Sequence, residues 1–327
     1  MINGKLLTRK QIDVNRWDTF IKHSPQQSIY FTSWYLDSIC SEWNAIIIEK
    51  NDEWIGVMPL NISTKMNISY SIQPIFTQYL GVLYANFTCS KHKELGLKKK
   101  IITEIIQVLP SNIKLIDYKF SPQFKYFLPF HWLGFDINPR ISYQLALNKK
   151  NDEIYLNYSS RIKTDIKKAK KNNLTYFESE QVDELLKLSY LNGILTLDNC
   201  NTFMTLWKEI IARKKGYCSY VRGANGEIYA GGAFIKDRNN IIFILLSTKQ
   251  KFKNLGPTSF LIHESIKKAN QNKQFKYFDF EGSMIESVEY FFKGFNPKPI
   301  TYYNIKKNKL GFIYPIYKKI SNSLRGK

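Results

Sequence analysis

Apolar and polar positions along the chain predict one order of elements, and that order occurs twice. In the second half, residues 202–216 have apolar side chains at helical spacing and predict a helix. Residues 218–236 alternate on either side of Asn225-Gly226, which predicts a hairpin. After the hairpin come the strand-like run Ile241–Ser247, a basic loop, an amphipathic helix over 259–270 and a strand over 277–283.

The first half repeats helix, hairpin, strand, helix and strand with weak sequence similarity to the second. Residues 30–43 predict the helix, and residues 45–62 predict a hairpin with its turn at Asn51 and Asp52. The remaining elements are a strand at 78–84, a helix at 97–109 and a strand at 113–121. This duplicated order indicates two similar domains.

A break between the halves falls at Pro139, before a strand predicted at Ser142–Leu147. We therefore predict two α/β domains with mixed sheets, one at residues 1–140 and one at residues 141–327. A basic helix is predicted at residues 157–173. A short basic helix is predicted over 313–327. Its composition fits a helix that is exposed to water and also fits one that lies on a membrane surface.

The net charge of +21 favours an acidic or phosphorylated partner. The excess of lysine accompanies many isoleucines and asparagines, so coding bias explains the same composition. RNA, a nucleotide cofactor and an anionic lipid surface therefore all stay open as partners.

The spacing of the cysteines and histidines limits the kinds of site that the sequence predicts. The four cysteines and four histidines are dispersed without zinc-binding spacing, so we expect no metal ion. No GxSxG motif occurs. The N-terminal residues are polar, and the longest apolar run is too short to span a bilayer. We expect a cytoplasmic protein with no integral membrane segment.

The junction of a basic loop with a helix start is the first candidate site. Free backbone N–H groups at a helix N-terminus attract phosphate, and a glycine allows close approach to the backbone. A proline in the first turn is favourable because its missing N–H group has no helical partner there. An ordinary helix start explains the same residues, since no Walker or GxGxxG motif occurs. The candidate residues are Lys253, Asn254, Gly256, Pro257, Thr258 and Ser259.

Two acids on the last strand of the second copy are the second candidate. Alternation places Asp279 and Glu281 on one face, opposite Phe278 and Phe280. A carboxylate in a partly desolvated cleft can accept a proton from an attacking amine. Pairing of either acid with a lysine is the competing explanation.

Cations suited to an acidic ligand occur in two segments. Arg161 and Lys163 belong to the basic helix, which fits contact with phosphates and also fits plain exposure to water. Lys293 lies within the aromatic run VEYFFKGF, which is an unusual setting for a lysine that is merely exposed to water. It is therefore the better candidate for binding a ligand.

Together these segments resemble the FemABX-like acyltransferases. YFTSWYLDSI and EWIGVMPLNI resemble the opening of that family. SSRIKTDIKKAKKN resembles its basic helix, LGPTSFLIHESIKKA its cofactor-side helix, and YFDFEGSMIESVEYFFKGFNPKPITYYNI its closing signature. The family consists of two tandem GNAT-type domains, in agreement with the repeat.

The resemblance implies transfer of an acyl or aminoacyl group to an amine. An acyl-CoA donor would lay its pantetheine along residues 243–247, with backbone contacts from Leu246 and Ser247, and its pyrophosphate at residues 253–259. Glu281 would accept the proton, with Asp279 as its neighbour. Arg161, Lys163 and Lys293 would bind an acidic or phosphorylated acceptor. The closely spaced glycines of the GNAT pyrophosphate motif are reduced here to Gly256.

Three functions are compatible with these observations. The leading one is a cytoplasmic N-acyltransferase that uses acyl-CoA and acts on an amino sugar, an amino acid or a cell-envelope precursor. The second adds an amino acid from aminoacyl-tRNA to a peptidoglycan precursor; the charge favours it, and the lack of the helical arm that some tRNA-using relatives carry disfavours it. The third is a non-catalytic RNA- or envelope-binding protein on a degenerate transferase scaffold.

Overall fold

The computed structural model describes residues 2–40, 42–282 and 284–311. The basic helix predicted over 313–327 lies outside the described residues. Contacts divide the described chain into two compact units, one formed by residues 2–140 with 301–311 and the other by residues 141–300. The division therefore differs from the predicted range 141–327 in assigning residues after 300 to the first unit.

The first unit contains two sets of paired strands. In chain order its strands are β1 (Ile2–Thr8), β2 (Asn44–Lys50), β3 (Glu53–Leu60), β4 (Ile62–Lys65), β5 (Ile68–Ile72), β6 (Leu83–Tyr84) and β7 (Ile113–Lys119). One sheet has the order β1-β2-β3-β6 and is antiparallel throughout. In the other set β4 pairs with β5, and β5 pairs in parallel with β7. The helices are α1 (Val14–His23), α2 (Ser33–Ile39), α3 (Lys91–Val108) and α4 (Leu128–Trp132).

Local chemistry explains where the first unit agrees with the predicted elements and where it does not. Asn51 and Asp52 have φ of 51° and 62°, as a tight hairpin turn requires. The strand predicted at 78–84 shrinks to β6, because the residues before it bond elsewhere; the N–H group of Leu80 donates to the carbonyl of Lys119 at 2.7 Å. The β4–β5 hairpin has no counterpart in the predicted order.

The second unit is one six-stranded sheet covered by helices. Its strands are β8 (Asp136–Ala146, which crosses the division), β9 (Thr175–Ser179), β10 (Gly216–Arg222), β11 (Ile228–Asp237), β12 (Asn240–Thr248) and β13 (Tyr277–Asp279), in the order β8-β13-β12-β11-β10-β9. Neighbours are antiparallel except β12 and β13, which are parallel. The helices are α5 (Asn151–Leu156), α6 (Ser160–Lys171), α7 (Asp183–Leu191), α8 (Leu197–Ala212), α9 (Pro257–Gln271) and α10 (Glu286–Lys293), with a 3-10 helix at Gln250–Leu255.

The last strand of the chain, β14 (Lys298–Asn308), also crosses the division. Its residues 304–308 pair antiparallel with β7 in the first unit. Tyr302 and Ile305 are buried there. No helix in the described part of the chain has the length and apolar character needed to cross a bilayer.

Helices α6 and α9 share the hydrophobic core of the second unit. The predicted stripe of Ile162, Ile166 and Ala169 is fully buried and packs in one cluster with residues of α9. The pattern also predicts that His263 of α9 faces water, and that prediction is wrong. His263 is 8% exposed, because the rings of Tyr155 and Tyr158 lie against it.

Candidate functional site

Two neighbouring strands of the second unit, β12 and β13, separate and open a slit between them. β13 pairs with β12 only along Asn240–Ile242. Beyond that point β12 keeps β11 as its partner, whereas β13 ends at Asp279 and pairs with β8. Ile244 is an unpaired extra residue in β12 where the strands part. Such a bulge bends the strand, so one edge of β12 faces open space.

That open edge presents the backbone of Leu246. Lys249 donates its N–H group to the carbonyl of Tyr229 on β11. Since residues bonded to the partner alternate with residues that point away, Ser247 bonds to β11, whereas Leu246 and Thr248 point into the slit. The carbonyl of Thr248 accepts from the side chain of Asn192 at 2.9 Å. The N–H and C=O groups of Leu246 have no partner on this side among the described residues.

A cavity of about 780 Å³ lies beside this edge and is lined only by residues of the second unit. The end of β12, the 3-10 helix, the start of α9, one face of α6 and the whole of α10 form its wall. Nine of the residues predicted for the site line this one cavity: Arg161, Leu246, Ser247, Lys253, Asn254, Gly256, Thr258, Ser259 and Lys293. Pro257, Lys163, Asp279 and Glu281 are not among its lining residues.

Gly256 is needed at the helix junction for a reason that the sequence does not give. Its φ is +74°, and a Cβ atom there would lie 2.3 Å from the carbonyl oxygen of Asp165. Its N–H group donates to the carbonyl of Lys253 at 3.2 Å. The close approach that this glycine allows is therefore to helix α6, and its own amide is already used.

The backbone N–H groups of the next two non-proline residues of α9 are not used in hydrogen bonds within the described part of the chain. Pro257 occupies the first turn and has no N–H group, and the first intrahelical bond runs from Phe260 to the carbonyl of Gly256 at 3.1 Å. No side chain caps this end of α9. The N–H groups of Thr258 and Ser259 thus have no acceptor among the described residues, and both residues line the cavity. They are the backbone donors of the junction that stay free to pair with an anion.

The hydroxyl groups of the same two residues are engaged. The hydroxyls of Thr258 and Thr248 are hydrogen-bonded at 2.7 Å, which links the start of α9 to the end of β12. Ser259 donates its hydroxyl to the carboxylate of Asp165 at 3.0 Å. Asp165 therefore places a negative charge at the positive end of α9, within the cavity wall.

Tyr290 of α10 lies close to two of the predicted substrate-binding cations. The guanidinium of Arg161 lies 5.4 Å from the centre of its ring, and the ammonium of Lys293 lies 5.1 Å from it. Lys293 also pairs with Glu289 at 3.4 Å. Lys163 lies apart from this group, because its ammonium donates to the carbonyl of Leu156 at 2.7 Å.

Glu289 links α10 to β8. Its carboxylate accepts a hydrogen bond from the hydroxyl of Tyr143 on β8 at 2.8 Å. Burial, followed by the adjacent Glu289 carboxylate, raises the pKa of Tyr143. Glu289 lines the cavity, so a carboxylate with a fixed orientation faces its interior.

The sequence predicts a strand to residue 283 with two acids on one face, but the strand ends at Asp279. Glu281 and Gly282 have φ of 56° and 65°, which breaks the alternation. Gly282 lies against β8, where a Cβ atom would come within 2.4 Å of the carbonyl of Ile141. The two carboxylates therefore do not share a strand face.

Asp279 is a buried carboxylate with all its hydrogen bonds inside the unit. It accepts from the Ser142 hydroxyl at 3.1 Å, from the Gln144 amide at 2.8 Å and from the Glu281 N–H group at 2.8 Å. Burial raises the pKa of Asp279, and the hydrogen bonds from Gln144, Glu281 and Ser142 act against that rise. The arrangement holds the turn after β13 against β8.

Asp165, Asn192 and Glu289 line the cavity and are not among the predicted site residues. The sequence contains a pattern that could have identified Asp165. Arg161, Asp165 and Lys168 follow one another at spacings of four and three, which places them on one face of the predicted basic helix. Asn192, at the end of α7, meets β12 only through the tertiary fold. Among the described residues, no group of His, Cys, Asp and Glu side chains is placed to hold a metal ion.

No protein-family model and no curated protein matches this sequence. Solved structures do match it. A crystal structure of FemX aligns over 97% of this chain and 99% of its own, with a TM-score of 0.65 and 12% identity. L-PGS from Bacillus licheniformis aligns over 96% and 97%, with a TM-score of 0.55 and 10% identity.

A tandem GNAT protein from the clavulanic acid biosynthesis pathway aligns over 94% of this chain and 98% of its own, with a TM-score of 0.56 and 8% identity. At such low identity the likeness is one of fold. The mixed α/β sheets, the order of elements and these neighbours together establish it. This chain has the fold that FemX and the tandem GNAT protein share.

Proposed function

We propose that the protein is a cytoplasmic N-acyltransferase that moves an acyl group from acyl-CoA to an amine of an amino sugar, an amino acid or a cell-envelope precursor. The open edge of β12 carries this proposal. A pantetheine arm contains amide groups, and an amide N–H group of the arm can donate to the open C=O group of Leu246 as a further strand would. The cavity beside that edge has a volume typical of small-molecule sites.

The site provides what thioester aminolysis needs. The amine nitrogen attacks the thioester carbonyl carbon, the C–S bond breaks, and the thiolate leaves and takes up a proton. The Leu246 N–H group is a suitable donor to the oxygen that becomes negative during the attack. The unpaired amides of Thr258 and Ser259, with Lys253 and Asn254 beside them, are suited to the phosphates of the donor. The attacking amine must lose a proton to a nearby base.

We propose Glu281 as that proton acceptor, with Asp279 fixing its position. The N–H group of Glu281 donates to the Asp279 carboxylate, and its left-handed backbone is unusual for a residue other than glycine. Arg161 and Lys293, gathered at Tyr290, are proposed to bind an acidic acceptor. In this function the donor site belongs to a second domain that begins at residue 141.

An aminoacyl-tRNA donor is the second candidate, and Asp165 is the observation that favours it. Its carboxylate at the start of α9 opposes the binding of a pyrophosphate at the same place. A donor linked through a ribose ester does not need a phosphate there. Helix α6 supplies six cations for a phosphate backbone, of which all but Lys163 are exposed: Arg161, Lys163, Lys167, Lys168, Lys170 and Lys171.

One experiment separates these donors. The protein is incubated with a set of acyl-CoA esters or charged tRNAs and a mixture of amines, and products are identified by mass spectrometry. Acyl-CoA should also raise the melting temperature, because a ligand of the native state stabilises it. Turnover of charged tRNA alone would move the assignment to the second candidate. Salt-sensitive polyanion binding without turnover of either donor would point to a non-catalytic binding protein.

Glu281→Gln tests the proton acceptor. Loss of a general base lowers kcat by about 10²- to 10⁴-fold, while the KM for the donor should change little because Glu281 lies outside the cavity wall. Glu289→Gln is the matched control, since it removes the carboxylate that does line the cavity. If Glu289→Gln lowers kcat and Glu281→Gln does not, the role belongs to Glu289.

A further inference from the structure

Large apolar side chains are exposed on both sides of the cavity. Of the thirteen large hydrophobic residues exposed in the described chain, seven lie on two segments next to it. Tyr190, Leu191, Ile194 and Leu197 come from the end of α7 and the turn into α8. Met284, Ile285 and Tyr290 come from α10 and the residues before it.

The cavity brings these two segments to one mouth. Ile194 lines it from the first segment, and Tyr290 lines it from the second. Leu191 and Ile285 are 69% and 64% exposed, which leaves most of each side chain in water. Single exposed hydrophobic residues are ordinary on a protein surface, whereas two exposed apolar segments that both reach one cavity indicate a binding surface.

Cations occur at the same cavity and along the helix beside it. Arg161, Lys168, Lys253 and Lys293 line the cavity, and all four are exposed. Three acids, Asp165, Glu286 and Glu289, also line it, so the excess of positive charge comes mainly from the rest of α6. That helix carries six cations and one carboxylate, within a chain of net charge +21.

Apolar side chains surrounded by lysine and arginine suit the interface of an anionic bilayer. The apolar groups enter the boundary between headgroups and acyl chains, and the cations pair with negative headgroups. An acidic protein partner would match the charge, but seven apolar side chains on two separate segments suit an adaptable lipid surface better.

We infer that the mouth of this cavity docks on an anionic lipid bilayer, with Leu191 and Ile285 inserted below the headgroups. Docking would present the cavity to an amine held in the headgroup layer. The inference goes beyond the proposed acyl transfer and does not depend on it, because docking requires no donor and no turnover.

Co-sedimentation with lipid vesicles tests the inference. The full chain should sediment with vesicles of mixed phosphatidylcholine and phosphatidylglycerol and stay in solution with phosphatidylcholine alone. Leu191→Glu combined with Ile285→Glu should lower the partition coefficient on the mixed vesicles by at least about tenfold, since two apolar side chains no longer leave water. Added salt should weaken binding of the wild-type protein, because it screens the cations.

Two further variants complete the test. Leu128→Glu changes an exposed leucine of α4 in the first unit and should bind like the wild type. Lys168→Glu with Lys253→Glu should lose binding to the mixed vesicles while both residues remain outside the core. Absence of binding to mixed vesicles, equal binding to neutral ones, or full binding by the Leu191 and Ile285 variant would each overturn the inference.

Acyl transfer to a water-soluble amine is measured on the same proteins. Vesicle binding without turnover would remove the proposed function and leave the docking surface in place. Turnover without vesicle binding would support the proposed function and would overturn the docking surface.

Discussion

A single carboxylate, Asp165, changes what the start of α9 can bind. The N-terminal end of a helix favours an anion, and here the protein supplies one through the hydrogen bond from Ser259. A phosphate that approaches the free amides of Thr258 and Ser259 therefore meets a like charge. The residue that tunes the junction belongs to α6, and only the packing of α6 on α9 reveals it.

Asp165→Asn should tighten binding of CoA. The amide keeps an oxygen that accepts from Ser259 while the opposing charge disappears, so the Kd should fall by about two- to fivefold at low salt, the range of a partly exposed charge pair. Isothermal titration calorimetry measures the change. Asp198→Asn, at the start of α8, removes the same charge away from the cavity and should leave the Kd unaltered. An unchanged Kd in Asp165→Asn would place the CoA phosphates elsewhere.

His263 shows how burial changes a residue that the pattern assigns to solvent. Desolvation lowers its pKa to about 4, while Glu264 acts to raise it and Lys170 and Lys267 act to lower it further. Its Nδ1 atom has no hydrogen-bond partner among the described residues. The neutral imidazole is therefore the form that the folded core accepts.

Acid should destabilise the protein partly through this histidine. The folded pKa lies below the unfolded value, so the stabilisation is complete above about pH 6.5 and is lost as the pH falls towards about 4. The loss can reach about 3 kcal/mol. Urea unfolding across this pH range should show a steeper decline for the wild type than for His263→Phe, which keeps a ring without a titrating group. Parallel curves would assign the acid sensitivity to other groups.

At the scale of elements, the site depends on where β12 and β13 part and on how α6 meets α9. The strand, the basic loop and the helix were each predictable from apolar spacing and from Gly256-Pro257. The bulge at Ile244 and the end of β13 at Asp279 were not, because an unbroken apolar run covers the first point and alternation continues through the second. The end of β13 arises from the left-handed residues Glu281 and Gly282 and from the close approach of β8.

Gly256→Ala tests the contact between α6 and α9. Alanine is strained at φ +74°, and its Cβ atom would overlap the Asp165 carbonyl, so the free energy of unfolding should fall by at least about 2 kcal/mol. Gly226→Ala is the matched control, with φ +79° and no atom within 4 Å of the added carbon. It should lose only about 1 kcal/mol. Equal losses in urea unfolding would show that the backbone conformation alone matters at residue 256.

On the scale of the whole molecule, the end of the described chain belongs to the first unit. Alternating polar and aromatic residues predict a strand over residues 301–308, but periodicity does not say which sheet that strand joins. Pairing of β14 with β7 decides it, and buries Tyr302 and Ile305 in the first unit.

Removal of β14 should therefore damage the first unit. A chain that stops after Ile300 leaves the edge of β7 unpaired and loses the burial of Tyr302 and Ile305, about 4 kcal/mol in total. It should aggregate or elute early in gel filtration, whereas a chain that stops after Gly311 keeps β14 and should elute as the full chain does. A stable monomer from the shorter chain would contradict the division into units.

The sequence by itself determined the repeated order of elements, the mixed α/β class and nine of the residues that line the cavity, because local spacing, turn residues and helix starts act over a few neighbouring positions. Only the tertiary structure decided that Leu246 has an open backbone edge, that the Asp165 carboxylate lies at the start of α9, and that Asp279 holds a turn against β8. Each of these depends on a partner distant along the chain. A hydrogen bond or a burial depends on what packs opposite, and that information lies in the fold as a whole.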